Sequence, residues 1–157
     1  MIFLRPLYSF DIDRIYEMKI DKKTLNNMYN NINTDTIIKN NIIESFYNTI
    51  HEIDTIRIGI CLCENNYLIG CITLGKVNYK LFKCELNIFI DHNYQGKKLG
   101  FNSLNILIEY CKNILKFKEI TLRVHKNNIK AINLYNKLKF EIKELNKDDF
   151  ITMFLLL

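Results

Sequence analysis

The chain has 157 residues, with 22 Lys and Arg against 17 Asp and Glu for a formal net charge of +5. That length fits one domain with a single core, and 48% hydrophobic residues with one Pro and five Gly exclude a disordered or low-complexity chain. The charge is mildly basic and spread out, without the Arg-rich, aromatic-studded stripe of a nucleic-acid binder; it suits a polyanionic small molecule drawn into a positive cleft.

Ile2 to Leu7 reads as a first strand, and Ser9 as the N-cap of a helix running through Asp11, Ile12, Ile15 and Met18. Asp21 to Asn33 is polar and reads as a loop. A second helix is predicted from Asp35 to His51, with Ile38, Ile42, Ile43, Phe46 and Ile50 on one face. The period then changes from helical to twofold. Ile56 to Cys63 and Tyr67 to Val77 form a hairpin about Glu64-Asn65-Asn66, and a turn at Asn78 to Leu81 leads into a strand ending at Ile90. Leu99, Leu104, Leu107, Ile108, Cys111 and Leu115 mark one face of a long helix. Ile120 to Val124 is a short buried strand and Asn128 to Leu138 a helix. Phe140 to Glu144 and Phe150 to Leu156 close as an antiparallel pair. This order predicts an α/β fold, a mostly antiparallel mixed sheet with helices on both faces, in one domain over residues 1–157.

The most informative stretch is His92-Asn93-Tyr94-Gln95-Gly96-Lys97-Lys98-Leu99-Gly100-Phe101, between a strand and a helix. Glycine lets the backbone approach a ligand, a helix N-terminus presents unpaired N–H groups, and Lys97 and Lys98 add charge, so a phosphate-bearing ligand suits it. No Gly-Lys-Ser/Thr closes the loop and no leading Gly opens it, which excludes the nucleoside-triphosphate and dinucleotide patterns. A helix start with a solvated lysine face is the plainer alternative.

Together with Asn128-Ile129-Lys130-Ala131-Ile132-Asn133-Leu134-Tyr135-Asn136-Lys137-Leu138-Lys139-Phe140, this loop resembles the GNAT superfamily of acyl-CoA-dependent N-acetyltransferases. The resemblance spans about residues 56 to 145. The opening Phe3-Leu4-Arg5-Pro6-Leu7 also resembles the branch that includes ribosomal-protein N-terminal and polyamine acetyltransferases. The family loop is Gln/Arg-x-x-Gly-x-Gly/Ala; here Gln95, Lys98 and Gly100 hold its three positions, with a glycine displaced to Gly96. A second departure is Lys139, where the family has Gly before the Phe.

The resemblance implies a GNAT-type fold, acetyl-CoA as donor and direct transfer to a primary amine. It implies that Gln95, Gly96, Lys97, Lys98, Leu99, Gly100 and Phe101 cradle the pyrophosphate of coenzyme A. Ile88, Phe89 and Ile90 would hold its pantetheine arm through their backbone, Asn128 would contact the cofactor, and Tyr135 would protonate the leaving thiolate. Lys126 and Lys130 are candidates for the adenosine phosphate. Glu85, a carboxylate within an apolar strand, is a general base or substrate anchor, or else a strand carboxylate paired with a nearby Lys.

The acceptor is expected to be a small-molecule amine, such as an amino sugar or polyamine, or a protein N-terminus. Lys22 and Lys23 tilt the loop toward a small or anionic acceptor over a polycation. The rival class is an acyl-CoA sensor without turnover or a basic RNA-binding module. His51, His92 and His125 lack ligand spacing, so no metal is expected. The five cysteines read as buried small residues rather than a metal or thiol cluster. With no leader-like segment and no membrane-spanning run, the expected home is a reducing cytoplasm. The apolar tail at Phe154 to Leu157 packs into the core or into a partner, so a homodimer is possible.

Overall fold

The computed structural model describes residues 1–21, 40, 41, 43, 44, 54–146 and 148–157. Strands β1 (Ile2–Pro6), β2 (Ile56–Leu62), β3 (Leu68–Asn78), β4 (Lys83–Ile90), β5 (Glu119–His125), β6 (Glu141–Leu145) and β7 (Phe150–Leu156) form one sheet in the order β1-β2-β3-β4-β5-β7-β6. Among the described residues only β4 and β5 run parallel. Helices α1 (Ile12–Ile20), α2 (Leu99–Asn113) and α3 (Ile129–Lys137) cover it. The mixed, mostly antiparallel sheet with helices on both faces is the predicted one. The second predicted helix and most of the acceptor loop, with Lys22, Lys23 and His51, lie outside the described residues; Asn40, Asn41, Ile43 and Glu44 are helical.

The twofold pattern assigns each strand residue to a face. On one side Cys84, Leu86, Ile120, Leu122 and Val124 pack with Leu104, Leu107 and Cys111 of α2 and Tyr135 and Leu138 of α3. On the other, Cys61, Leu68 and Cys71 pack with Ile15 and Met18 of α1, and Phe89 borders them. The helical spacing read from Leu104, Leu107 and Cys111 thus marks the buried face of α2.

Ser9 is not the cap of α1. It opens a short 3-10 turn, Ser9–Asp11, and the acceptor there is Asp11, whose Oδ2 takes the Tyr8 N–H at 2.8 Å. Arg5 grips the same carboxylate with both Nη atoms, at 2.7 and 2.8 Å. A forked guanidinium holds a carboxylate in one geometry, which fixes the corner between β1 and α1. The apolar tail lies in β7, and the Leu157 N–H donates to Lys118 O at 3.1 Å. Phe154, Leu155 and Leu157 are half-buried there, while Leu156 is exposed.

Candidate active site

The parallel strands β4 and β5 stay partners for only four residues each, from Lys83↔Glu119 to Leu86↔Leu122. Each then continues with its other neighbour, β4 along β3 to Ile90 and β5 along β7 to His125. The sheet therefore opens into a wedge between Asn87–Ile90 and Arg123–His125. Main-chain groups alternate sides along a strand that is paired on both edges. Phe82 O takes the Lys118 N–H and Cys84 O takes the Thr121 hydroxyl, whereas the Asp91 N–H turns back to Ile69 O. By that alternation the main-chain groups of Ile88 and Ile90 face the wedge, while those of Phe89 face β3. Likewise the Lys126 N–H donates to Asp149 O, so His125 faces the wedge.

Two residues of the sequence motifs close its mouth. Gln95 Nε2 donates to Ile90 O at 2.8 Å, and the Asn128 N–H donates to His125 O at 2.8 Å. Beyond Ile90 come a short 3-10 turn (His92–Tyr94), the glycine loop and α2. Gly96 has φ +75° and open space where a Cβ would stand. Lys98, at the N-cap of α2, is also left-handed, with φ 60°. Lys97 and Lys98 are exposed, and Lys97 Nζ lies 5.2 Å from the Tyr94 ring centroid. Leu99 and Phe101 pack against the core. A Cβ on Gly100 would meet Ile90 Cδ1 at 3.3 Å and Leu134 Cδ2 at 3.6 Å, so its bareness lets α2 start close to β4 and α3.

Asn128 caps α3, its Oδ1 accepting from the Ala131 N–H at 3.2 Å. Two turns on, Tyr135 is 7% exposed and tilted against Phe140, with ring centroids 5.7 Å apart. Burial pushes its phenol up to about 12, so it holds its proton at neutral pH. The helix ends in a Schellman pair: the Phe140 N–H bonds Tyr135 O and the Lys139 N–H bonds Asn136 O, both at 3.0 Å. Lys139 takes the left-handed φ of 69° that this motif needs. Lysine at the family's glycine position therefore keeps the turn and bears strain. Lys139→Gly is expected to raise stability by about 1 kcal/mol without changing activity, as read from the denaturant midpoint.

Glu85 lies where the two strands are still paired, on the face opposite Tyr135. Lys76 Nζ sits 2.7 Å from its Oε2. Of the readings open in the sequence, this geometry is the strand carboxylate paired with a lysine. Lys126 is likewise engaged, 2.6 Å from Asp149, whose carboxyl it holds below the usual range. Lys130 is exposed on the first turn of α3. His125 Nδ1 accepts from the Asn127 N–H, and its ring meets Phe150 edge-on. Burial pushes the Cys71 thiol up to about 12, far from a ready nucleophile. Among the described residues no three His, Cys, Asp or Glu side chains converge on a metal position.

Sequence reasoning missed one pair: Arg14 of α1 donates from Nη2 to Asp91 Oδ2, joining α1 to the start of the loop. Asp91 is 5% exposed, and its Oδ1 accepts from the Asn93 N–H at 2.9 Å. His92 Nδ1 lies 3.0 Å from Asp21 Oδ1, at the C-cap of α1. A carboxylate directly after an apolar strand was the available signal; its partner lies 77 residues away.

Residues 25–140 match the model of the acetyltransferase (GNAT) family. Spermidine N(1)-acetyltransferase of Escherichia coli strain K12 is 34% identical over 83 residues, which are 52% of this chain and 45% of that protein. Spermine/spermidine N(1)-acetyltransferase of Bacillus subtilis strain 168 is 45% identical over 53 residues, 34% of this chain and 35% of that one. The chain spans about half or less of the length of these curated relatives. The crystal structure of spermidine N-acetyltransferase from Vibrio cholerae in complex with CoA and spermine has a TM-score of 0.84 at 23% identity, covering 99% of this chain and 95% of that one. That likeness extends the shared fold over nearly the whole chain.

Proposed function

Because the chain belongs to the acetyltransferase (GNAT) family, we propose that it transfers the acetyl group of acetyl-CoA to a primary amine by direct attack within a ternary complex. The observation that carries this reading is the parting of β4 from β5 after Leu86 and Leu122, with the glycine loop at the mouth and Tyr135 on one face. Buried main-chain groups need partners, and an amide-bearing pantetheine arm laid in the wedge would pair with Ile88 and Ile90 as an added strand does. The N–H groups from Gly96 to Gly100 and the start of α2 would hold the pyrophosphate, with Lys97 and Lys98 beside it. A strand N–H in the wedge would polarise the thioester carbonyl. Tyr135 would give its proton to the departing thiolate. Glu85, tied to Lys76, is left outside the proton path, and the amine's proton would pass to water. Asn128, as the cap of α3, orients the helix that carries Tyr135 and stands where the cofactor would enter.

The names of the relatives favour a polyamine acceptor. So do the carboxylates Asp13, Glu17 and Asp21, which recur at four-residue spacing along α1 and at its C-cap. This replaces the lean toward a small or anionic acceptor drawn from Lys22 and Lys23. A relative from V. cholerae is described as a dodecamer, and self-assembly is proposed here as well. The sensor and RNA-binding readings have no observation in their favour.

Thiol release from acetyl-CoA should be followed with spermidine, spermine, an amino sugar and a peptide bearing a free N-terminus. Release is expected with the polyamines first. If no amine supports it, the activity is wrong; if only the amino sugar or peptide does, the acceptor is wrong. Gly100→Leu would fill the space between Ile90 and Leu134 and push α2 from the wedge. CoA affinity by calorimetry is expected to fall about tenfold or more, a cost of about 1.4 kcal/mol or above. Parental affinity would place the pyrophosphate elsewhere.

A further inference from the structure

Lys19 has no part in the reaction just outlined, yet it lies against Phe89, on the strand that borders the wedge. It lies in the last turn of α1, half-buried, with Nζ 5.6 Å from the centroid of the Phe89 ring. Phe89 sits between Ile88 and Ile90, whose main-chain groups face the wedge, and is opposite buried Cys71 on β3. No carboxylate among the described residues forms an ion pair with Lys19. Burial lowers its pKa; Cys71 opposes that and Arg57 adds to it. An ammonium held against apolar surface, with no ion-paired carboxylate among the described residues, is pushed toward its neutral form, and a neutral amine is the nucleophile that amide formation needs.

The two faces of the sheet place the reacting groups on opposite sides. Tyr135 belongs to the face covered by α2 and α3, whereas Lys19 and the Phe89 side chain belong to the face covered by α1. A thioester lying in the wedge, in the plane of the sheet, would have a proton donor on one side and a lysine amine on the other. The flexible four-carbon stem of lysine supplies the remaining reach. We propose that Lys19 is a self-acetylation site, a reaction that rests on the acetyl-CoA reading above. The Nζ lone pair attacks the thioester carbonyl carbon and the C–N bond forms. The C–S bond breaks, and the thiolate takes a proton from Tyr135. The amine's extra proton passes to water, from which Tyr135 is reprotonated. One acetyl-CoA becomes one N-acetyl-lysine and one free thiol. The product can no longer carry positive charge at Lys19, on the face of the sheet covered by α1.

The test incubates the full chain with acetyl-CoA and no acceptor, then maps acetyl groups by peptide mass spectrometry at early times. Occupancy at Lys19 is expected to exceed that at exposed Lys112 and Lys116 by about tenfold, equivalent to about 1.4 kcal/mol of barrier. Tyr135→Phe is expected to slow the modification of Lys19 and leave those two surface lysines unaffected, because their reaction with dissolved acetyl-CoA needs no proton donor. Equal occupancy at all three, or a Lys19 rate indifferent to Tyr135→Phe, would overturn the proposal. The same preparation is assayed for CoA binding and spermidine-dependent thiol release. If both occur while Lys19 stays unmodified, self-acetylation alone fails. If CoA does not bind and no amine releases thiol, the reading of the whole site fails with it.

Discussion

Tyr135→Phe is expected to lower kcat by about 10²–10⁴-fold, the usual worth of a positioned general acid, with CoA affinity nearly unchanged. Only the hydroxyl is lost; the ring keeps its place against Phe140 and its contribution to the main core. The loss should fall on kcat, because proton donation to the thiolate matters in the transition state and not in cofactor binding. Since burial carries the Tyr135 phenol up to about 12, it remains an acid across the working range. Any alkaline fall in kcat centred well below that value would belong to another group. The same burial affects stability with a definite sign. Tyrosine titrates near 10 in an unfolded chain, so between about 10 and 12 the unfolded state holds fewer protons and stability falls as pH rises through that window. The Phe variant should lack this part of the fall, as read from denaturant midpoints on either side of about pH 10. A near-parental kcat would leave Tyr135 as a packing residue.

The legible parts of this chain are those governed by local period. Leu104, Leu107 and Cys111 repeat with the helical turn and are buried; Ile58 and Ile60 repeat with the strand and are buried. The glycine loop was legible because a strand, a Gly-bearing turn and a helix start are contiguous in sequence. Its deviant lysines were legible only in part. Lys98 and Lys139 both take the left-handed backbone for which glycine is favoured, which the spacing suggests but residue identity disguises. What stayed hidden depends on contacts between distant segments. Glu85 reads in sequence as a base, a substrate anchor or an ion-paired carboxylate, and only the fold shows Lys76, across a bulged hairpin, against it. Lys126 reads in sequence as a phosphate candidate, and only the fold shows Asp149 beside it. Ser9 has the chemistry of a cap, yet the local acceptor is Asp11, held in place by Arg5 from the neighbouring strand.

Arg14→Met is expected to cost about 3 kcal/mol of stability, the lower end for breaking a buried ion pair. It should weaken CoA binding even though Arg14 lies on a different element from the glycine loop. The variant keeps most of the apolar stem and removes every bond made by the guanidinium: Nη2 to Asp91, Nε to Leu68 O at 3.1 Å, Nη1 to Glu17 at 3.3 Å, and the stacking over Tyr67 at 4.6 Å. Burial by itself would lower the Arg14 pKa; the hydrogen bond it donates to Asp91, with help from Tyr67 and Glu17, more than offsets this and leaves it raised. The larger penalty lies on the partner. Asp91 is buried, and without Arg14 its carboxylate must stay charged in poor surroundings or take up a proton. Because Asp91 follows Ile90 directly and its Oδ1 fixes the turn at Asn93, relaxing it moves the start of the loop relative to β4. Arg14→Lys should recover only part of the loss, since one ammonium cannot reproduce the fork. Pairing Arg14→Met with Asp91→Asn should recover more, because no uncompensated charge remains. Denaturant unfolding and calorimetry with CoA on the two single variants and the double one decide the matter. A loss below about 1 kcal/mol, within the range of surface pairs, together with parental CoA affinity, would mean that the Arg14–Asp91 link does not position the loop.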